Sequence, residues 1–169
     1  MKRGPVLVLL LLAACSRQPE SPKQAKAAPA TGLEAAAIEA GVIPDPNGAD
    51  IAGLYALDTD RMCVVPTATA YRIGVYVDYG EDQNCGGSGV VTRVGETLNV
   101  DFPTAPGCNF DARFEGDRIA FPGRVPDGCA KLCSNRASLA ALDVDRLSES
   151  VSEASTLRDA KGKLLCNGG

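Results

Sequence analysis

Seven cysteines are the residues best placed to do chemistry in this chain: Cys15, Cys63, Cys85, Cys108, Cys129, Cys133 and Cys166. Thiols bind metals, attack carbonyl carbon or cross-link a chain. Metal binding fits poorly. The spacing Cys129-x-x-x-Cys133 is wider than the usual zinc knuckle, and there is no His to complete a site. The missing His also removes Ser-His and Cys-His catalysis and histidine pH switching. Cross-linking is left, and an odd count leaves one cysteine over.

Other candidates reduce to local structure. Gly86-Gly87-Ser88-Gly89 lacks the Lys-Ser or Lys-Thr of a phosphate loop, and Val90 stands where a nucleophile elbow needs Gly. It reads as a flexible hairpin turn. Asp58 and Asp60, like Asp143 and Asp145, form Asp-x-Asp pairs of the kind that bind metal or cleave glycosides. Both sit at expected element ends, where Asp serves turns and caps. Asp45, Asn47 and Asp50 alternate as in a calcium loop, but Pro46 and the missing Glu at position twelve point to an ordinary turn. No motif asks for a metal or another cofactor.

The start of the chain accounts for the odd cysteine. Lys2 and Arg3 precede an apolar run from Val6 to Leu12, and small residues then lead to Cys15. This is the layout of a secretory signal peptide. The run is seven residues, nine with Ala13 and Ala14, and so at most roughly half what a membrane-spanning helix needs. Leu12-Ala13-Ala14-Cys15 resembles the lipobox of bacterial lipoproteins. The resemblance implies that residues 1–14 are removed, that Cys15 is lipidated, and that its lipid makes the membrane a partner. Ser16, where enteric inner-membrane lipoproteins tend to carry Asp, implies the outer membrane, facing the periplasm. Six cysteines remain, enough for three disulfides in an oxidising compartment.

Residues 15–32 read as a tether. Ser16 to Thr31 is rich in Pro, Ala, Lys and Gln and has no apolar period. Residues 33–169 suffice for one domain with a modest core. Net charge is −4 overall, but from Leu33 onward 12 basic and 20 acidic side chains leave −8. So acidic a domain repels phosphate backbones, which argues against nucleic acid as a partner.

Thr31-Gly32-Leu33-Glu34 has a capping-box pattern, and good helix formers follow to Ala40, closed by Gly41. From Ile51 the texture is that of short strands. Gly53 to Leu57 and Met62 to Val65 flank Asp58-Thr59-Asp60. Tyr71, Ile73, Val75, Val77 and Tyr79 alternate with polar or small residues. That alternation puts Arg72 and Tyr76 together on the outer face, a favoured pairing at interfaces. Val90 to Val94, Leu98 to Phe102, Asn109 to Glu115 and Arg118 to Phe121 continue the meander. Further on, Leu142, Leu147, Val151, Ala154 and Leu157 recur at near-helical spacing. The expected class is mainly β: a small disulfide-stapled antiparallel meander or barrel, with a short N-terminal helix and a C-terminal helical segment.

Gly53-Leu54-Tyr55-Ala56-Leu57, followed by Cys63 and Cys85, resembles the opening of the Inh-type bacterial metalloprotease inhibitors. Those are eight-stranded periplasmic barrels that open with Gly-x-Trp-x-Leu. Tyr55 replaces that Trp, and the later cysteines have no counterpart. The resemblance implies a barrel and favours a Cys63–Cys85 bridge. The Gly116 hairpin brings Cys108 near Cys129, Cys133–Cys166 would then tie down the expected helix, and Cys63–Cys85 is the remainder; Cys129 and Cys133 are close enough to exchange partners, which leaves that choice open.

Two functions follow. One is a non-catalytic binding or structural lipoprotein of the cell envelope, with an unknown envelope protein as partner. The alternative is a lipid-anchored inhibitor of an extracytoplasmic hydrolase, possibly a protease. An enzyme is not expected, since without His only carboxylate, Lys or Tyr chemistry is available.

Overall fold

The computed structural model describes residues 32–42 and 48–167. Cys15 and the lipobox lie outside them, as do Thr31, Asp45 and Asn47. Helix α1 spans Leu33–Glu39, one residue short of expectation. Its N-cap is Gly32, with no side-chain cap, in place of the expected capping box. Gly41 closes it at φ +67, with the Val42 amide donating to the Ala37 carbonyl at 2.8 Å.

Eight strands then form a closed antiparallel barrel in chain order, β1 pairing with β8. They are β1 (Gly53–Leu57), β2 (Asp60–Pro66), β3 (Tyr71–Asp78), β4 (Asn84–Val94), β5 (Thr97–Asp101), β6 (Asn109–Phe114), β7 (Arg118–Ala120) and β8 (Asp143–Ser148). Alternation drives the inner face. Ile73, Val75 and Val77 of β3 point inward and are buried, as are Leu98 and Val100 of β5. An eight-stranded barrel is just wide enough for side chains to fill. Tyr55, Met62, Phe102 and Phe114 fill this one, with no exposure. Tyr79 lies beyond β3 and is 57% exposed, not inward as the alternation suggested.

Gly86 to Gly89 form no turn. They lie within β4, paired with Ile73 to Tyr76. The glycines there serve close approach. A Cβ on Gly89 would lie 2.3 Å from the Asp101 carbonyl oxygen, and one on Gly87 3.0 Å from the Leu132 side chain.

Residues 142–157 are not one amphipathic helix. Asp143–Ser148 is β8, the strand that closes the barrel, and only Val151–Ala154 forms a short helix, α2. The near-helical spacing misleads because an Arg occupies an inward position. Val144 is fully buried and Arg146 is nearly so, while Leu147 is 63% exposed. Polar and apolar residues thus exchange faces halfway along the strand.

A second, smaller core lies outside the barrel wall. Cys63 and Val65 of β2 face outward and meet Ala154, Leu165 and Cys166 of the C-terminal segment. The segment runs so close that a Cβ on Gly74 would lie 2.6 Å from that of Leu165. The Ser88 hydroxyl donates to the Leu165 carbonyl at 2.7 Å.

The bridges are Cys63–Cys166, Cys85–Cys133 and Cys108–Cys129. The last is as expected. Cys63–Cys85 and Cys133–Cys166 are not formed, and the pleat explains why. Cys63 opposes Gly74 on the outer face, whereas Cys85 opposes Val77 on the inner face. A bridge between them would have to pass through the wall.

Candidate binding cleft

Two extra layers lie against the β3–β4 ladder, and a gap separates them. One is the connection from β7 to β8, whose 3-10 turn spans Asp127–Leu132. Cys85–Cys133 ties it to β4, and the Ser134 amide donates to the Asn84 carbonyl at 2.8 Å. The other is the C-terminal segment, tied to β2 by Cys63–Cys166. It carries a tight loop in which the Asp159 carboxylate accepts from the Lys161 and Lys163 amides, each at 2.9 Å. The gap is a cleft of about 510 Å³, within the range of small-molecule sites.

Tyr76, Asn84 and Gly86 form the floor of the cleft. Tyr76 and Gly86 are cross-strand partners, so the ring lies beside a residue without a side chain. The Tyr76 hydroxyl donates to the Asp78 carboxylate at 3.2 Å, which fixes the ring. Burial, then the Asp78 charge, raises the Tyr76 pKa, so the phenol stays protonated and can donate. Lys131 stands on one wall and Lys161 on the other. None of the four ion pairs among the described residues involves either lysine. These two and Lys163 are the only lysines from Leu33 onward. Asp82 and Asp159 also line the cleft, so it gathers two of the domain's three lysines beside two carboxylates.

Arg72 and Tyr76 share the outer face but do not form an exposed pair. Both are half-buried, and Tyr76 packs against the second core. Arg72 Nε is buried without a hydrogen bond. Tyr76 lines the cleft and Arg72 does not.

In each Asp-x-Asp pair one carboxylate is engaged within the fold. The Asp60 carboxylate accepts from the Asp78 amide at 3.1 Å, and burial raises its pKa. Asp143 pairs with Arg118 across β7 and β8. Asp50 accepts from the Tyr71 hydroxyl at 3.1 Å and the Ala52 amide at 3.0 Å. No group of three or more potential metal ligands occurs among the described residues.

One polar cluster escapes sequence reasoning. Arg93 and Arg146 project inward at the barrel end where β1 begins. The Arg93 guanidinium lies 4.7 Å from the Phe114 ring centre, and that of Arg146 5.6 Å from it and 5.5 Å from Tyr55. Arg93 donates to the Ala49 carbonyl; Arg146 donates to those of Asp50 and Gly116. Burial pushes the Tyr55 pKa up to about 12, against the opposing pull of Arg146. Its hydroxyl donates to the Ile51 carbonyl at 2.9 Å, a structural role. The available signal was parity, since Arg93 follows Val91 and Arg146 follows Val144 on inward positions. Comparison with known protein families, curated proteins and solved structures finds no match to this chain.

Proposed function

We propose that this chain is a lipid-anchored protein of the bacterial cell envelope whose barrel is a non-catalytic binding module for a polar, anionic ligand. The cleft beside Tyr76 carries the reading. Its walls are each held by a disulfide, so little order is lost on binding. Lys131 and Lys161 stand on opposite walls with Asp82 and Asp159 beside them; Asp159 is already engaged by two backbone amides of its own loop, which leaves the two ammonium groups to meet an anionic oxygen. Signal layout and lipobox supply the address, and three disulfides suit an oxidising compartment.

The inhibitor alternative has the eight-stranded barrel in its favour. The absence of the Cys63–Cys85 bridge that its resemblance favours weighs against it.

The cleft is tested by titrating the full chain with glucuronate and glucose while following the amide of Asn84, which also lines it, by NMR. Glucuronate should shift it below about 10 mM, and glucose should bind at least about tenfold more weakly. A Cβ on Gly86 meets only ordinary contacts, at 3.5 Å from Asp159 and 3.9 Å from Tyr76. Gly86→Val should therefore fold and lose the shift. Binding that survives Gly86→Val, or equal response to glucose, sinks the assignment. For the anchor, palmitate label and membrane retention should both disappear in Cys15→Ser.

A further inference from the structure

The three bridges are concentric. Cys63–Cys166 spans a separation of 103 residues, Cys85–Cys133 one of 48 and Cys108–Cys129 one of 21, each inside the one before. Only the innermost joins cysteines that are consecutive along the chain. We propose that this nesting makes the protein a client of a thiol–disulfide isomerase. Oxidation in chain order makes Cys63–Cys85 and Cys133–Cys166, and a dithiol partner reshuffles both. The inference rests on the oxidising-compartment part of the function proposed above.

Loop statistics favour the wrong pair. Cys63 and Cys85 are 22 residues apart, against 103 for Cys63 and Cys166. Closure probability falls with the three-halves power of loop length, so the shorter loop wins by about tenfold. Export from the N-terminus adds to this bias, because Cys63 and Cys85 emerge well before Cys166. The wrong pair cannot persist in the barrel, since its two cysteines face opposite sides of the wall with β3 between them. Such a chain stays open and its disulfides stay accessible.

The exchange balances without an external oxidant. The isomerase thiolate attacks Cys63 of Cys63–Cys85, forms a mixed disulfide and releases the Cys85 thiolate. Cys85 attacks Cys133 of Cys133–Cys166, forms the native bond and releases the Cys166 thiolate. Cys166 attacks Cys63 in the mixed disulfide, forms the second native bond and frees the isomerase. The number of disulfides is unchanged. The reverse path is shielded, because Cys63, Cys85 and Cys166 are fully buried in the folded barrel.

Refolding tests this directly. The full chain with Cys15→Ser keeps only the six bridge-forming cysteines. It is reduced, unfolded and reoxidised with a thiol-free oxidant, and quenched samples are mapped without reduction. Early samples should hold Cys63–Cys85 over Cys63–Cys166 by about tenfold. Adding a dithiol isomerase with reduced glutathione should convert them to the nested set. Nested bonds forming at the same rate and yield without any thiol would overturn the proposal, and so would the absence of Cys63–Cys85 throughout. This readout does not depend on the anchor. If Cys15→Ser leaves membrane retention unchanged while the trap appears, the address falls and the reshuffling stands.

Discussion

The two ends of the barrel are closed by different physics. At the end where β1 begins, two inward arginines lie against Phe114 and Tyr55 and bond to the carbonyls of Ala49, Asp50 and Gly116. At the other end, the long β7–β8 connection folds over the opening. Two disulfides hold it, Cys85–Cys133 and Cys108–Cys129. Its own Leu139 is fully buried. One end is tied covalently and acts mainly on the unfolded chain; the other is held by directional polar contacts in the folded state. The covalent end adjoins the cleft, where fixed walls matter to binding. The arginine end adjoins β1, where the incoming chain must be held.

The largest effect should come from the covalent end. Cys85→Ala/Cys133→Ala opens a loop of separation 48 and should cost about 4 kcal/mol on the chain-entropy account. Chemical denaturation of the oxidised protein measures it. A loss below about 1 kcal/mol would mean that packing alone holds the connection in place. The variant should also weaken ligand binding in the cleft, while the high pKa of Tyr55 persists at the opposite end.

The difference between the ends also explains what was legible in the sequence. The β1–β2 and β6–β7 hairpins and the β3 alternation through Ile73, Val75 and Val77 are local patterns, and they read correctly; only Tyr79, past the strand's end, departs from the alternation. Cys108–Cys129 follows from a hairpin and a short return. Cys63–Cys166 does not, because Met62-Cys63-Val64-Val65 is apolar on both faces. The run conceals which way Cys63 points, since β2 is covered on both sides. Arg146 hid β8 by putting a charge where alternation expects an apolar residue. Gly86 to Gly89 read as a turn because their use, close approach by Leu132 and Phe102, is tertiary. The cleft is assembled from segments far apart in the chain, and only Tyr76 was foreseen.

A smaller effect at the arginine end is a pH dependence. The Tyr55 phenol is neutral when protonated, and burial raises its pKa from about 10 in the unfolded chain to about 12. Below pH 10 both states hold the proton and the phenol's contribution is fully present. Between pH 10 and 12 the unfolded chain loses the proton first, so stability falls as pH rises through this window. The loss should be roughly 2–3 kcal/mol by pH 12. Tyr55→Phe should remove that part of the slope. An unchanged slope would place the alkaline titration elsewhere.

The smallest effect separates two accounts of how Arg146 is tolerated inside the barrel. Its side chain is only 10% exposed, and its sole ion pair among the described residues is with Glu149, at 3.2 Å. Breaking a buried pair can cost roughly 3–5 kcal/mol, because an uncompensated charge is left behind. Glu149, however, is 83% exposed, so solvent already screens this pair and water can replace the carboxylate. The Asp50 and Gly116 carbonyls and the two rings remain as the other partners of Arg146. Glu149→Gln should therefore cost less than about 0.5 kcal/mol and show little dependence on salt. Arg146→Met, which removes the guanidinium from both carbonyls and both rings, should cost roughly 2–4 kcal/mol. If Glu149→Gln cost as much as Arg146→Met, the carboxylate would be the true counter-charge. The arginine end would then be an ion-pair lock, and added salt would loosen it while leaving the disulfide end untouched.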